Sequence, residues 1–264
     1  MIPTPLAKTA LPLVLAAVLA AAPAAAAPAP APRPDTPESL LAKAGQTDQP
    51  LEILALWDQA IALLEKKPEA KTDPSIVEQI QDIKFNKADF LSRMAAFEKK
   101  DAAKKKKLYE DAVQIVEAMK KGVESTVRGL QKKLTEKQKA LEDLQNTDPD
   151  KISNEEFDKQ EAILDKEITE IRGGLPGNWF LYAKCLYFIG KVLPPGDARR
   201  APALAQAQEQ FANFLKEYEI PGYKFFSLWY QSLTLQESGK YKEAIETFKK
   251  ALEYKPPEDL LTQA

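Results

Sequence analysis

The amino-acid sequence predicts an all-α protein, and three observations support this fold class. Glycine is scarce, with 10 residues in a chain of 264. The middle of the chain is rich in Ala, Leu, Glu, Lys and Gln, which are good helix formers. Apolar residues recur at helical spacing, whereas long β-branched runs with period two are absent from the sequence. We therefore expect a series of packed helices.

The first 35 residues carry an export pattern. Lys8 is followed by an apolar run over residues 10–22, and small residues up to Ala27 offer a cleavage site. We expect residues 1–27 to be a signal peptide and residues 28–35, rich in Pro and Ala, to be an extended tether. The mature chain would then be periplasmic or extracytoplasmic and soluble. An N-terminal membrane anchor is the alternative, although a membrane span needs about 20 strongly apolar residues.

Charge and composition exclude several functions. Removing Lys8 with the signal peptide leaves 37 − 1 = 36 basic and 39 acidic residues, a net charge of −3, which disfavours general nucleic-acid binding. The chain has no histidine, which excludes Ser-His-Asp and Cys-His catalysis and His-ligated metal sites. Phosphate-binding glycine motifs are also absent from the sequence. We expect no catalytic residue, metal, cofactor or small-molecule substrate.

Residues 36–122 form the first predicted helical region. Thr36 and Asp73 each precede a proline, the pairing of a capping residue and a first-turn proline that starts a helix. A second helix begins after Pro50, and a fourth is expected over Leu108–Lys121. The helix after Asp73 carries an apolar stripe made of Ile76, Ile80, Ile83, Phe90, Met94 and Phe97.

A lysine run covers residues 104–107, just before the fourth expected helix. Such a run is compatible with a nucleic-acid or anionic-lipid contact. No aromatic residues interleave with the lysines, and export argues against nucleic acid. We therefore interpret the run as a solvated helix face or turn.

Residues 123–172 are typical of an antiparallel coiled-coil hairpin. Lys137 occupies a seam position that is otherwise apolar, and Ser153 begins a capping box after a turn at 146–150. Each arm would be roughly 30–35 Å long. The segment Gly173–Gly177 is expected to break the hairpin from the helix that follows. The two predicted seams consist of Val123, Val127, Leu130, Leu134, Leu141 and Leu144, and of Phe157, Leu164, Ile168 and Ile171.

Residues 173–264 contain two helix pairs with a shared pattern. In the last pair, small residues lie where helices would cross, Gly239 permits the turn and Pro256 ends the second helix. With Trp229, Leu235, Tyr241, Ala244, Phe248 and Ala251, this pattern resembles the tetratricopeptide repeat (TPR) family, apart from Gln231 in place of a leucine.

The preceding pair, Trp179–Leu193 and Pro202–Tyr218, repeats the theme with a longer loop. Cys185 takes a small packing position there, and a reactive thiol is the alternative. Residues 83–121 are expected to form a third helix pair that matches the same pattern more weakly. The resemblance implies a TPR-like helix-hairpin solenoid, here with the coiled-coil hairpin inserted between helix pairs, and exported bacterial TPR/coiled-coil proteins look similar.

TPR proteins bind peptides or protein partners in a groove formed by the first helix of each pair. The resemblance thus implies an exported protein–protein interaction scaffold, with self-association through the hairpin or the last helix as a further expectation. A periplasmic holdase chaperone is the alternative, and an enzyme without histidine chemistry a remote one. Tyr187 and Tyr230 are also compatible with core packing. The candidate groove residues are Lys184, Tyr187, Tyr230, Gln231 and Thr234.

Overall fold

The computed structural model describes residues 35–70, 72–148 and 152–254. Within these ranges the chain forms eight α-helices and no β-strand, so the all-α prediction is confirmed. The predicted signal peptide, most of the tether, Pro256 and the C-terminal residues lie outside the described residues. The helices are α1 (Pro37–Gln46), α2 (Pro50–Glu65), α3 (Pro74–Phe97), α4 (Ala102–Gln145), α5 (Asn154–Val192), α6 (Arg200–Glu217), α7 (Pro221–Glu237) and α8 (Tyr241–Glu253).

Helix starts follow the capping chemistry of the sequence. Thr36 Oγ1 accepts a hydrogen bond from the Ser39 amide at 3.2 Å, and Ser39 Oγ accepts one from the Thr36 amide at 3.0 Å. Asp73 accepts from the Ser75 amide at 2.9 Å, and Ser153 from the Glu156 amide at 3.3 Å. The predicted starts of α1, α3 and α5 are therefore confirmed. None of the helices of the described ranges is long and apolar enough to cross a membrane.

Consecutive helices pack on one another along the chain, and α5 also packs on α3 and α7. Three apolar clusters result. Leu40, Leu64 and Ile80 belong to the cluster of α1, α2 and α3. The central cluster joins α3, α4 and α5, and the third joins α5 and α6 around Phe211. Cys185 lies in the central cluster, fully buried, and burial raises the pKa of its thiol to about 12. Its interpretation as a packing residue is confirmed.

The expected fourth helix and the first hairpin arm are a single helix. α4 contains 44 residues and passes through Gly122 without interruption. At 1.5 Å per residue it is about 66 Å long. Its first half packs on α3 and α5 in the central cluster, and its second half extends away as one arm of the hairpin.

The predicted break at Gly173–Gly177 is wrong, because α5 runs from Asn154 through Pro176 to Val192. Proline lacks an amide hydrogen, so it removes one hydrogen bond of the helix. Nearby, the Asn178 side-chain amide donates a further hydrogen bond to the Gly174 carbonyl at 2.8 Å. Leu175 and Pro176 are both buried against neighbouring helices. Tertiary packing therefore outweighs the local preference of the segment for a turn.

The hairpin is the paired extension of α4 and α5 rather than a separate insertion. Its predicted limits, residues 123 and 172, both fall inside these helices. Val123, Leu144 and Ile168 are buried along the seam. Lys137 Nζ lies 2.6 Å from Glu167 Oε2 of the opposite arm, so the missing apolar seam position holds an ion pair.

Candidate partner-binding groove

An open groove lies between the first two helices and the C-terminal half of α3. It arises because the helices differ in length: α1 has 10 residues and α3 has 24, which correspond to about 15 Å and 36 Å. The short helix α1 cannot cover the whole length of α3. The groove has a volume of about 1020 Å³. Its apolar lining includes Leu41, Ile53, Trp57, Phe90, Met94 and Phe97.

Aromatic side chains form the floor and one end of the groove. The Trp57 and Phe90 rings meet edge to face, with centroids 5.5 Å apart. Phe97, the last residue of α3, is 80% exposed. The apolar stripe predicted on α3 therefore divides: its first half is buried against α1 and α2, and its second half faces the groove. A surface of this size and composition is typical of a binding site.

Charged residues surround this apolar surface. Glu98 Oε1 accepts hydrogen bonds from the amides of Lys100 and Asp101 at 3.0 Å and 3.2 Å, and Lys104 Nζ lies 3.3 Å from Glu98 Oε2. These hydrogen bonds, first of all those from the two amides, lower the pKa of Glu98. Arg93 pairs with Asp89 one turn earlier on α3. The acidic groups at this end are thus already engaged by the chain itself.

Two of the residues predicted for a partner-binding surface, Lys184 and Tyr230, lie together, but next to this groove rather than in it. Lys184 Nζ lies 3.1 Å from Asp82 Oδ1, and Asp82 lines the groove. The same ammonium lies 4.7 Å from the Phe85 ring centroid and 5.7 Å from that of Tyr230. Burial alone would lower the pKa of Lys184, but Tyr230 and Asp82 outweigh it and the pKa is raised. Lys184 is therefore a cation that joins α3, α5 and α7.

Tyr187 and Thr234 are not surface residues. Tyr187 is 3% exposed and packs against the Phe188 and Tyr230 rings, and burial raises the pKa of its hydroxyl. Thr234 is 0% exposed, and its Oγ1 donates to the Tyr230 carbonyl at 2.7 Å. The prediction that these two side chains face a partner is incompatible with their burial. Tyr230 and Gln231 are half-buried on α7.

The sequence did contain a signal for the groove that the structure shows. Phe90, Met94 and Phe97 continue an apolar stripe over a helix much longer than the one predicted to begin at Thr36. An apolar stripe that extends beyond the helix it packs against leaves an apolar surface uncovered. That comparison of helix lengths points to α3 instead of α5 and α7.

A second apolar surface lies at the other end of the described chain. On α8, Tyr241, Ile245 and Leu252 are 65%, 57% and 56% exposed. Their spacing places them along one side of the helix, while Ala244 and Ala251 face α7 and are buried. One exposed side of the last described helix, next to the side that faces α7, is therefore apolar.

Comparisons with known proteins give no assignment. No protein-family model matches the chain, and neither does any curated protein or solved structure. In the part of the chain that the structure describes, no group of three or more Cys, Asp or Glu side chains is arranged to hold a metal ion.

Proposed function

We propose that this chain is a protein–protein interaction scaffold that binds an apolar segment of a partner in the groove between α1, α2 and α3. The groove carries the proposal, because it combines an open volume of about 1020 Å³ with aromatic and methionine side chains. Exposed aromatic side chains at a concave surface dominate the binding energy of many interfaces. Phe97, with 80% of its surface exposed, is the residue expected to contribute most.

The order of helix packing supports a TPR-like arrangement. Each helix packs on the next, and α5 packs on the first helices of the neighbouring pairs, as in stacked helix pairs. In the last pair, Ser232 is buried and donates to the Ala244 carbonyl at 2.8 Å. Gly239 adopts φ +75° at the turn between α7 and α8, a conformation that favours glycine. These contacts agree with the small-residue and glycine positions of the TPR pattern.

The hairpin of α4 and α5 supplies a second surface. Beyond the central cluster its two arms pack mainly on each other, so their outer faces are free for a second partner or a second copy of the chain. From these two surfaces and the export pattern of residues 1–27, we propose that the chain is an adaptor that connects two proteins outside the cytoplasm. The groove would bind one of them and the hairpin the other.

A holdase chaperone is the second candidate. The observation that favours it is the exposed apolar side of α8, which gives the chain a second exposed apolar surface besides the groove. A holdase uses such surfaces for many unfolded clients, whereas a scaffold binds one partner to saturation.

Crosslinking and affinity capture from the native envelope, with residues 28–264 as bait, test the scaffold. Phe97→Glu places a charge at the groove, and Leu51→Glu is its matched control. Leu51 is 78% exposed and lies outside the groove lining. We expect one saturable partner that is lost with Phe97→Glu and retained with Leu51→Glu. Suppression of the aggregation of unrelated clients, equal in both variants and without a specific partner, would instead establish the holdase.

A further inference from the structure

We propose that the segment bound in this groove is an amphipathic helix whose apolar face is flanked by acidic residues. The inference rests on the proposed function and specifies the chemistry of the partner. It follows from the charge around the open end of the groove, from the position of that charge on α4, and from the shape of the apolar surface.

Basic residues dominate the chain where the groove opens. Between Arg93 and Leu108 there are seven basic side chains, Arg93 and six lysines, against two acidic ones, Glu98 and Asp101. Both acidic side chains already have partners within the protein. Glu98 accepts a hydrogen bond from the Lys100 amide and pairs with Lys104. Asp101 caps α4 by accepting a hydrogen bond from the Lys104 amide at 2.8 Å. Among the described residues, no ion pair involves Lys99, Lys100 or the lysines at 105–107.

The position of these lysines is unfavourable for the helix that carries them. Residues 104–107 lie in the first two turns of α4, where the helix dipole is positive and cations are destabilising. The 44-residue helix therefore tolerates an unfavourable electrostatic interaction between these lysines and its N-terminus. Their positive charge adds to that of the helix end, and both attract acidic side chains of a ligand.

The apolar part of the groove defines the rest of the ligand. Phe90, Met94 and Phe97 follow one face of α3, and Leu41 and Ile53 face them from α1 and α2. A helix that places apolar residues at i, i+3, i+4 and i+7 presents a stripe that fits between such walls. Acidic residues beside that stripe would then lie close to Lys104, the lysine that lines the groove, and near the lysines that follow it on α4.

A flat anionic membrane is a poorer fit to the same charges. Trp57 and Phe90 form the floor of a concave surface and are half-buried, so a planar bilayer does not reach them. A protein helix can enter the groove and place its acids only at the basic end.

Fluorescence anisotropy with three labelled peptides tests the proposal on residues 28–264. The first peptide is an amphipathic helix with Leu at i, i+3, i+4 and i+7 and Glu beside them. The second has Lys in place of Glu, and the third is a scrambled version of the first. Vesicles of anionic phospholipid are a fourth probe. The protein is compared with Phe97→Glu, with Leu51→Glu, and with a variant in which Lys104–Lys107 are all glutamine.

We expect the Glu peptide to bind best and Phe97→Glu to weaken it about tenfold, because a buried aromatic contact is lost and a like charge introduced. Leu51→Glu should leave binding unchanged. The glutamine variant should lose the preference for Glu over Lys, as should the unaltered protein at about 1 M salt.

Other outcomes overturn the inference in distinguishable ways. Equal binding of the Glu and Lys peptides, sensitive to Phe97→Glu, would reject acidic recognition and keep the groove as a binding site. Binding to vesicles but to none of the peptides, lost in the glutamine variant, would assign the basic end to a membrane surface. Phe97→Glu without effect on any peptide or on the captured envelope partner would reject the proposed function as well.

Discussion

At the scale of single residues, a close approach of α5 and α6 depends on a glycine. A Cβ atom added to Gly190 would lie 2.5 Å from Leu204 Cγ and 3.4 Å from the Leu204 amide nitrogen. Leu204 is 3% exposed and has little room to move. We expect Gly190→Ala to lower the free energy of unfolding by about 1–3 kcal/mol, because overpacking outweighs the gain in helix propensity. Urea unfolding followed by circular dichroism measures the change.

Gly122→Ala is the matched control for this substitution. Gly122 also lies inside a helix, but no atom outside its own helix lies within 4 Å of a Cβ added there. Alanine should therefore stabilise α4 by about 0.5–1 kcal/mol. If both substitutions changed stability in the same direction, the tight contact between α5 and α6 would be refuted.

The Asp89 carboxylate links α3 to α5 and makes stability depend on pH. Its Oδ1 lies 2.8 Å from Lys191 Nζ, and Arg93 pairs with its other oxygen. Burial alone would raise the pKa of Asp89, but Lys191 and Arg93 lower it below its ordinary value. The stabilisation is therefore complete above the unfolded pKa of about 3.9 and is lost as the pH falls through the lower folded pKa.

We expect Asp89→Asn to cost about 1.5–3 kcal/mol at neutral pH, since it removes charged hydrogen bonds from a side chain that is 13% exposed. The difference in the free energy of unfolding between this variant and the unaltered protein should become smaller below about pH 4. The Asp89 carboxylate of the unaltered protein is then progressively protonated. Thermal unfolding at several pH values tests this, with exposed Asp165→Asn as control. A difference that stays constant down to about pH 2 would contradict the ion-pair account.

At the scale of helices, the Lys137–Glu167 pair connects the two arms of the hairpin, and we expect it to contribute to their alignment. Both side chains are about two-fifths exposed, 39% and 40%, so solvent screens the pair and its contribution is modest. Lys137→Glu should destabilise the hairpin by about 0.5–1 kcal/mol, because it places two carboxylates opposite each other. Adding Glu167→Lys should recover most of this loss. Hydrogen exchange of the hairpin amides measures both effects.

Lys132→Glu is the control for the hairpin, since Lys132 is 79% exposed and, among the residues that the structure describes, its ion pair is with Glu136 of the same helix. It should change hydrogen exchange little. If Glu167→Lys failed to rescue Lys137→Glu, the two residues would not determine the alignment of the arms. A heptad seam with a single polar pair would then be aligned by its apolar residues alone.

Sequence patterns predicted the capped helix starts better than they predicted whether a long helix is interrupted. Thr36, Asp73 and Ser153 act through hydrogen bonds to amides within three residues, so the local sequence contains the whole interaction. The continuity of α5 through Pro176 depends instead on burial against distant helices, which no local rule contains. Tyr187 was predicted as a groove residue, but the Tyr230 and Phe188 rings cover it, and these contacts are likewise not contained in its local sequence.

At the scale of the whole molecule, three surfaces are separated along the chain. The groove lies on the first helices, the hairpin extends from α4 and α5, and the apolar face of α8 lies at the other end of the described residues. The central cluster of α3, α4 and α5 connects them. This arrangement suits the proposed adaptor, because the three surfaces are formed by different residues.

The separation predicts that the hairpin can be removed without loss of the groove. Leu134 and Ile171 are near-opposite on adjacent arms, since Leu130 packs near Gly174 and Lys137 pairs with Glu167. Packed helix axes lie about 8–10 Å apart, so a flexible linker of about six residues can replace residues 135–170. The central cluster around Val113, Val116 and Cys185 lies outside the deleted segment and keeps its contacts.

We therefore expect the shortened chain to unfold cooperatively, with helical signal reduced in proportion to the deleted residues, and to bind the same groove ligand with the same sensitivity to Phe97→Glu. A partner held by the hairpin should be lost from envelope crosslinking, while a groove partner is retained. Circular dichroism, calorimetry and capture with the shortened bait measure these three properties. Loss of groove binding in a cooperatively folded shortened chain would mean that the hairpin and the groove act on one partner together, since the groove helices themselves contain none of the deleted residues.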